Sequence, residues 1–80
     1  MMNRNIKDFL GKKVRHFKGG IYLVLYTAKH TETGETLVVY VSLNDHNKGQ
    51  CFARPLDMFL SKVDRVKYPN ATQEYRLELI

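Results

Sequence analysis

The stretch RHFKGGIYLVLYTAKHTETGETLVVYV, residues 15–41, decides the fold. It contains two runs of apolar and β-branched residues, 21–30 and 36–43, which the short polar segment TETGE separates. Two such runs, joined by a few residues that include a glycine, predict an antiparallel β-hairpin. A segment rich in cations, aromatics and glycine, residues 15–22, leads into this hairpin, and the sequence raises the question of what that segment does.

Shorter elements are predicted on both sides of the hairpin. Residues 13–17 alternate as a strand, with Val14 and His16 on one face and Arg15 and Phe17 on the other. Further strands are expected at 51–54 and 74–80, and a short helix within 55–63, where apolar residues recur at helical spacing after a proline. The chain is therefore predicted to be mainly β, a small SH3-like barrel of about five antiparallel strands with a short helical turn before the last strand. An OB-type barrel would need longer strands and more chain.

Eighty residues are enough for one hydrophobic core and no more. We expect residues 1–12 to form an N-terminal basic segment with a short helix, and residues 13–80 to form a single small β-barrel domain. The alternation of the strands and the spacing of the helix predict a core that includes Val14, Leu23, Leu25, Val39, Phe59, Leu60 and Leu77.

The positive charge is concentrated at one end of the chain. The net charge is +5, and residues 1–18 contain six Lys and Arg side chains against Asp8 alone, so the remaining residues are balanced. This pattern favours an anionic partner such as a nucleotide, a nucleic acid or another phosphate. The alternative is a solvated basic arm that aids solubility.

Cysteine content and hydropathy indicate the compartment. Cys51 is the single cysteine, so no internal disulfide can form, and this agrees with a reducing, cytoplasmic location. No apolar run approaches the length of a membrane span and no signal peptide is visible, so no membrane partner is expected. A homo-oligomer is compatible with the sequence.

Signals of catalysis and of metal binding are weak. His16, His30 and His46 lack the short spacings of a zinc site, so we expect neither a metal nor another cofactor. No nucleophile–base pair occurs at a recognisable spacing, and Cys51 is expected to be a small buried thiol. A binding protein is therefore expected rather than an enzyme, and a small enzyme that uses His30 or Cys51 is a third alternative.

The segment 15–22 combines groups that an anion site needs: cations, backbone N–H groups beside glycine, and an aromatic ring. Because strand ends converge at the mouth of a small barrel, His30 and a second arginine before Pro55 are expected to join it. The predicted ligand-binding residues are Arg15, Lys18, Gly19, Gly20, Tyr22, His30 and Arg54.

A structural explanation of the same residues stays open. In it, Phe17, Tyr22 and Tyr26 belong to the core, Arg54 forms an ion pair with Asp57 or Glu78, and His30 caps the hairpin beside Thr31.

At these residues the chain resembles DUF1653, a family of small uncharacterised bacterial and phage domains. The resemblance covers residues 13–80 and rests on VRHFKGGIYLVLYTAKHTETGETLVVY, ARPLDMF and YPNATQEYRLELI, which contain four blocks of the family pattern in order. The matching positions are Arg15, His16, Phe17, Lys18, Gly19, Tyr22, His30, Thr31, Glu32, Thr33, Arg54, Pro55, Met58, Phe59, Gln73, Tyr75 and Arg76. Two departures are the segment VSLNDHNKGQ after Tyr40 and the missing tryptophan before Arg-Pro-Leu, where Phe52 is the nearest aromatic.

The family carries no established activity, so the resemblance implies a small β-rich unit rather than a function. From the residues, we expect a non-enzymatic module that binds an anionic ligand, namely a nucleotide, an oligonucleotide or a phosphorylated metabolite. In a phage, such a protein would suit the sequestration of a nucleotide. The alternative is a protein–protein interaction module that binds a peptide on its barrel face or edge strand.

Overall fold

The computed structural model describes residues 4–80. Its regular elements follow the predicted order, and every strand lies within a few residues of its predicted bounds. The elements are a 3₁₀ turn at Ile6–Asp8, β1 at Lys13–His16, β2 at Ile21–Lys29, β3 at Thr36–Ser42, a 3₁₀ turn at Asp45–Asn47, β4 at Cys51–Pro55, helix α1 at Leu56–Phe59 and β5 at Leu77–Leu79.

All five strands belong to one antiparallel sheet in the order β4-β3-β2-β1-β5. The predicted mainly-β class, the five antiparallel strands and the short helix before the last strand are confirmed. Closure into a barrel is not seen in residues 4–80, because β4 and β5 form the two edges of the sheet and do not pair with each other. No helix in the described part of the chain is long and apolar enough to cross a membrane.

The predicted hairpin, β2 with β3, forms the centre of the sheet. Its register shifts between Val24 and Tyr26, so Leu25 is an extra residue, a β-bulge. Val24 lies opposite Tyr40, and these two define what we call the inner face of the sheet, which carries the core.

The core lies between the inner face and the segments that cross it. Phe59 from α1 is fully buried. Its ring meets that of Phe9 edge-on and that of Tyr40 at a tilt of 57°, with centroids 5.8 Å apart in both pairs. The buried apolar residues are Phe9, Val14, Val24, Val38, Tyr40, Phe59, Val63 and Leu77.

The predicted core is correct at Val14, Phe59 and Leu77, and Leu60 packs against it, whereas Leu23, Leu25 and Val39 lie outside it. Leu23 and Val39 are only half-buried because their neighbours Val24 and Val38 point inward instead. Leu25 is the bulge residue and Leu60 is the C-cap of α1, and both are also half-buried. Both faces of β2 are apolar near its start, so alternation alone could not select the buried face.

The N-terminal segment is fastened to the domain. Asn5 caps the first 3₁₀ turn by accepting the N–H of Lys7 at 3.0 Å, and this turn delivers Phe9 to the core. The Arg4 guanidinium lies 3.9 Å from the centroid of the Tyr75 ring and donates to the carbonyls of Leu60 and Leu77. Residues 4–9 therefore join the end of α1 to β5.

We predict that Phe59→Ala destabilises the protein by about 3–5 kcal/mol, because it removes a fully buried ring from the only core of the described domain. Met58→Ala is the matched control, since Met58 precedes it in α1 and is 46% exposed, and it should change stability by less than about 0.5 kcal/mol. Urea denaturation followed by circular dichroism measures both. Equal effects of the two substitutions would contradict the described packing of α1.

Candidate functional site

A cleft of about 490 Å³ opens at one end of the inner face, beyond the core. Strands β1 to β4 each contribute one side chain, and the turns after β1 and β3 close the sides. The lining residues are His16, Lys18, Gly19, Gly20, Tyr22, Tyr40, Asn44, His46 and Arg54.

The register of the sheet places these groups together. Tyr22 lies opposite Val14, and His16 shares its face because side chains two apart in a strand point the same way. Arg54 lies opposite Val38, so its side chain also belongs to the inner face. Tyr40 on β3 lies between Arg54 on β4 and Tyr22 on β2. Its ring meets the Tyr22 ring edge-on, with ring centroids 5.3 Å apart.

Arg54 is the unusual member of the site. Its Nη1 atom is buried and makes no hydrogen bond with any group in residues 4–80. Neither Asp57 nor Glu78, the predicted partners, forms an ion pair with it in that part of the chain. Glu78 instead accepts the backbone N–H groups of Glu74 and Tyr75, at 3.1 and 3.0 Å. A buried cationic N–H group without an acceptor is costly, so Nη1 of Arg54 is the group in this cleft that most favours an added acceptor.

His16 is held in one orientation. Its Nδ1 accepts the backbone N–H of Lys18 at 3.1 Å, and its ring stacks on Phe17 with centroids 4.6 Å apart. Burial lowers the pKa of His16 to about 4, and the charges of Arg54, Arg76 and Lys18 act in the same direction. His16 is therefore a neutral imidazole at physiological pH.

The two tyrosines present hydroxyl groups to the same cleft. Burial raises the pKa of Tyr40, while the positive charge of Arg54 and a hydrogen-bonding contact between the Arg54 guanidinium and the Tyr40 hydroxyl oppose this effect. Tyr40 therefore stays protonated near neutral pH and can donate a hydrogen bond.

Two glycines shape the turn between β1 and β2. Gly19 has a φ of 106°, a value that side chains rarely adopt, and its N–H donates to the His16 carbonyl at 2.7 Å. At Gly20, a Cβ atom would lie 2.9 Å from Cε1 of Tyr22, so only glycine lets this ring pack here. The Gly20 N–H makes no hydrogen bond with another group of residues 4–80.

Asn44 ties the turn after β3 to β2. Its Oδ1 accepts the backbone N–H of Ile21 at 2.8 Å, and its Nδ2 donates to Oγ of the buried Ser42 at 3.1 Å. This contact fixes the far wall of the cleft, where the exposed His46 stands.

The structure brings together five of the seven predicted ligand-binding residues, Lys18, Gly19, Gly20, Tyr22 and Arg54. Arg15 alternates with His16 on β1 and so faces the opposite side of the sheet, where it is exposed. His30 lies beyond the other end of β2, and its Nδ1 accepts the N–H groups of Glu32 and Thr33 at 3.1 and 3.4 Å. His30 thus caps the hairpin, and this is the structural role that the sequence had offered as an alternative to ligand binding.

Other predicted placements also changed. Tyr26 is 57% exposed and not part of the core. Cys51, expected to be buried, is exposed on the edge strand β4 because its side chain alternates with that of Phe52 and points to the outer face. In residues 4–80, no three His, Cys, Asp or Glu side chains come together as metal ligands would.

Sequence reasoning missed His16, Tyr40, Asn44 and His46 as site residues. For His16 a signal existed, since it was predicted to share a face with the core residue Val14. Tyr40 could not be placed, because the face on which it points depends on the bulge at Leu25.

A neighbouring cleft of about 400 Å³ shares Lys18. Lys18 Nζ lies 4.9 Å from the centroid of the Tyr68 ring, in this second cleft, so Lys18 stands on the ridge between the two. The lining of the second cleft contains exposed lysines but no buried cation, which leaves the Arg54 cleft as the candidate site.

Residues 12–78 match the sequence model of a family described as a protein of unknown function, DUF1653. The fold matches the crystal structure of a protein belonging to DUF1653 from Bordetella bronchiseptica, with a TM-score of 0.75 and 30% sequence identity. The match covers 95% of this chain and 92% of that one. No curated protein matches the chain.

We predict that His16 makes stability depend on pH. Its pKa falls from 6.5 in the unfolded chain to about 4 in the fold, so the unfolded state takes up the proton first as pH decreases. The free energy of unfolding should therefore be unaffected by His16 above pH 6.5 and should decrease as pH falls toward 4. His16→Asn retains an acceptor for the Lys18 N–H but cannot titrate, so its loss of stability over this range should be smaller.

Urea denaturation of both proteins at pH 7 and at pH 4.5 checks this prediction. The carboxylates titrate in both proteins, so the difference between the two pH dependences isolates His16. Parallel pH dependences would show that His16 is not the neutral, buried imidazole described here.

Proposed function

The chain belongs to the DUF1653 family, and we propose that it is a non-enzymatic binding module whose cleft takes an anionic ligand. The ligand classes are those expected from the sequence: a nucleotide, an oligonucleotide or a phosphorylated metabolite. We place the protein in the cytoplasm, in agreement with its lone, exposed cysteine.

The observation that carries this proposal is the buried, unpartnered Nη1 of Arg54 at the cleft. Hydrogen bonds to charged groups contribute about 1.5–3 kcal/mol, and an unsatisfied buried donor loses that contribution. An anion in the cleft would supply the missing acceptor. Arginine is suited to this role because its planar guanidinium forms paired hydrogen bonds with phosphate or carboxylate oxygens.

The lining of the cleft supports binding rather than catalysis. Its nine described residues include no carboxylate, no thiol and no aliphatic hydroxyl. His16, a histidine that could serve as a base, already uses its Nδ1 as an acceptor within the turn. The cleft therefore offers no serine, threonine or cysteine nucleophile to pair with His16.

A peptide-binding module is the second candidate, and the edges of the sheet favour it. β4 is an edge strand in residues 4–80, and exposed edges can receive an added strand. On the outer face, two strands in from this edge, Tyr26 on β2 is 57% exposed and lies opposite Val39 on β3. Binding there would rest on main-chain hydrogen bonds and apolar contacts.

Thermal unfolding with inorganic phosphate, the four ribonucleoside 5′-monophosphates and an eight-nucleotide DNA tests the proposal. A ligand at 100 times its Kd adds about 2.7 kcal/mol of stability, which is readily measured. Affinity should decrease as salt rises, because exposed charges are screened beyond about 8–10 Å. For this single-stranded DNA, the logarithm of affinity should fall with the logarithm of salt concentration by about 0.7 for each phosphate contacted. Peptide binding on the edge of β4 would be nearly independent of salt.

We predict that Arg54→Gln weakens binding of the best of these probes by about tenfold to a hundredfold, the equivalent of one or two charge-assisted hydrogen bonds. Arg15→Gln is the matched control, since it removes the same charge from the same sheet but from the opposite face. It should retain the parent affinity. Titration calorimetry at two salt concentrations measures both variants.

Stability separates a ligand-binding arginine from a structural one. Because Arg54 Nη1 has no partner in residues 4–80 and the guanidinium otherwise contacts the Tyr40 hydroxyl, Arg54→Gln should lower the free energy of unfolding of the free protein by no more than about 1.5 kcal/mol, the contribution of one hydrogen bond. Unchanged affinity in Arg54→Gln for every probe, or equal losses in both variants, would refute the site. A loss of more than about 1.5 kcal/mol in Arg54→Gln without ligand would show that the arginine is structural.

A further inference from the structure

We infer that the anion is a terminal phosphate, a phosphomonoester dianion, which Arg54 binds through its guanidinium and His16 through an Nε2–H donor. This inference rests on the proposed function and narrows its ligand class. It predicts that phosphodiesters, including the backbone of a nucleic acid, bind more weakly than a phosphomonoester.

The neutral ring of His16 has one defined tautomer. Its Nδ1 accepts the Lys18 N–H at 3.1 Å, so in the neutral ring the hydrogen must be on Nε2. Stacking on Phe17 prevents the ring from turning over freely. The cleft therefore contains a fixed, uncharged N–H donor beside the arginine.

The cleft has unpaired hydrogen-bond donors, whereas several of its acceptors are already paired. Three acceptors at the cleft are occupied within the protein: His16 Nδ1 by the Lys18 N–H, Asn44 Oδ1 by the Ile21 N–H and the Gly20 carbonyl by the His16 N–H. The donors are not. Arg54 Nη1 and the Gly20 N–H have no partner in residues 4–80. Such a site prefers a group that only accepts hydrogen bonds, and a terminal phosphate offers three oxygens where a diester offers two.

The charge near the cleft is positive. Arg54, Arg76 and Lys18 act together on His16, and no carboxylate lines the cleft. Arg76 forms a hydrogen bond through Nε to Ser61 Oγ at 3.4 Å and no ion pair in the described residues. Three positive charges without a counter-charge are compensated better by a dianion than by the single charge of a diester or a carboxylate. A cleft of about 490 Å³ also has the size of a small-molecule site.

The test compares phenyl phosphate with methyl phenyl phosphate at pH 7.5, by titration calorimetry on the intact protein. The two probes share the ring and differ in one ester bond, which removes one charge and one terminal oxygen. The monoester should bind at least tenfold more tightly. Equal affinities would overturn the inference while leaving anion binding intact, whereas no binding of either probe, of phosphate or of any nucleotide would overturn the proposed function as well.

Two substitutions of His16 test whether its Nε2–H group binds the phosphate. His16→Asn keeps the Nδ1-like acceptor for Lys18 but lacks the distal donor, and should reduce the preference for the monoester. His16→Gln places an amide N–H near the position of Nε2 and should keep more of that preference than His16→Asn. A preference that is the same in both variants and the parent would remove His16 from the site, and a preference that Arg54→Gln leaves unchanged would refute the inference.

Discussion

The register of the central hairpin, with its bulge at Leu25, is the constraint on which the core and the cleft both depend. It sets Val24 opposite Tyr40 and thereby turns Tyr40 toward Phe59. Because β4 pairs with β3, the same register carries Arg54 to the inner face. A shift by one residue would send every one of these side chains to the outer face.

The core and the cleft occupy the same face of one open sheet, and Tyr40 connects them. Its ring lies tilted toward Phe59 in the core and edge-on to Tyr22 beside the cleft. One wall of the cleft is therefore rigid, since it is also the edge of the core. The opposite wall depends on polar contacts, in which Ser42 and Asn44 hold the turn after β3 against β2.

Much of this architecture could be predicted from the sequence, and the failures have physical causes. The strands, the hairpin and the short helix followed from alternation, turn glycines and Pro55, which are local signals. Leu23 and Val39 were assigned to the wrong face because β2 and β3 are apolar on both faces, and a bulge leaves no mark in such a sequence. Lys18 and Tyr22 were correctly predicted to lie together because only a few residues separate them in the sequence.

Arg54 was also predicted as a site residue, but the sequence did not predict that one of its nitrogen atoms is buried without a hydrogen-bond partner. That its Nη1 is buried and unpartnered depends on which carboxylates fold toward it, and Glu78 is instead occupied by two backbone N–H groups. Arg15 was included although its alternation with His16 already placed the two on opposite faces. A charge count cannot distinguish these two arginines, whereas their positions in the sheet can.

The proposed site also explains why a histidine among cations is tolerated. Burial and the charges of Arg54, Arg76 and Lys18 keep the pKa of His16 low, so the imidazole adds no fourth charge to the cleft. An anion bound beside the ring would offset these charges and raise the pKa of His16. Binding and protonation of His16 would then favour each other, because linkage acts in both directions. The cations that disfavour protonation of His16 are thus the same groups that favour the binding of a phosphate in the cleft.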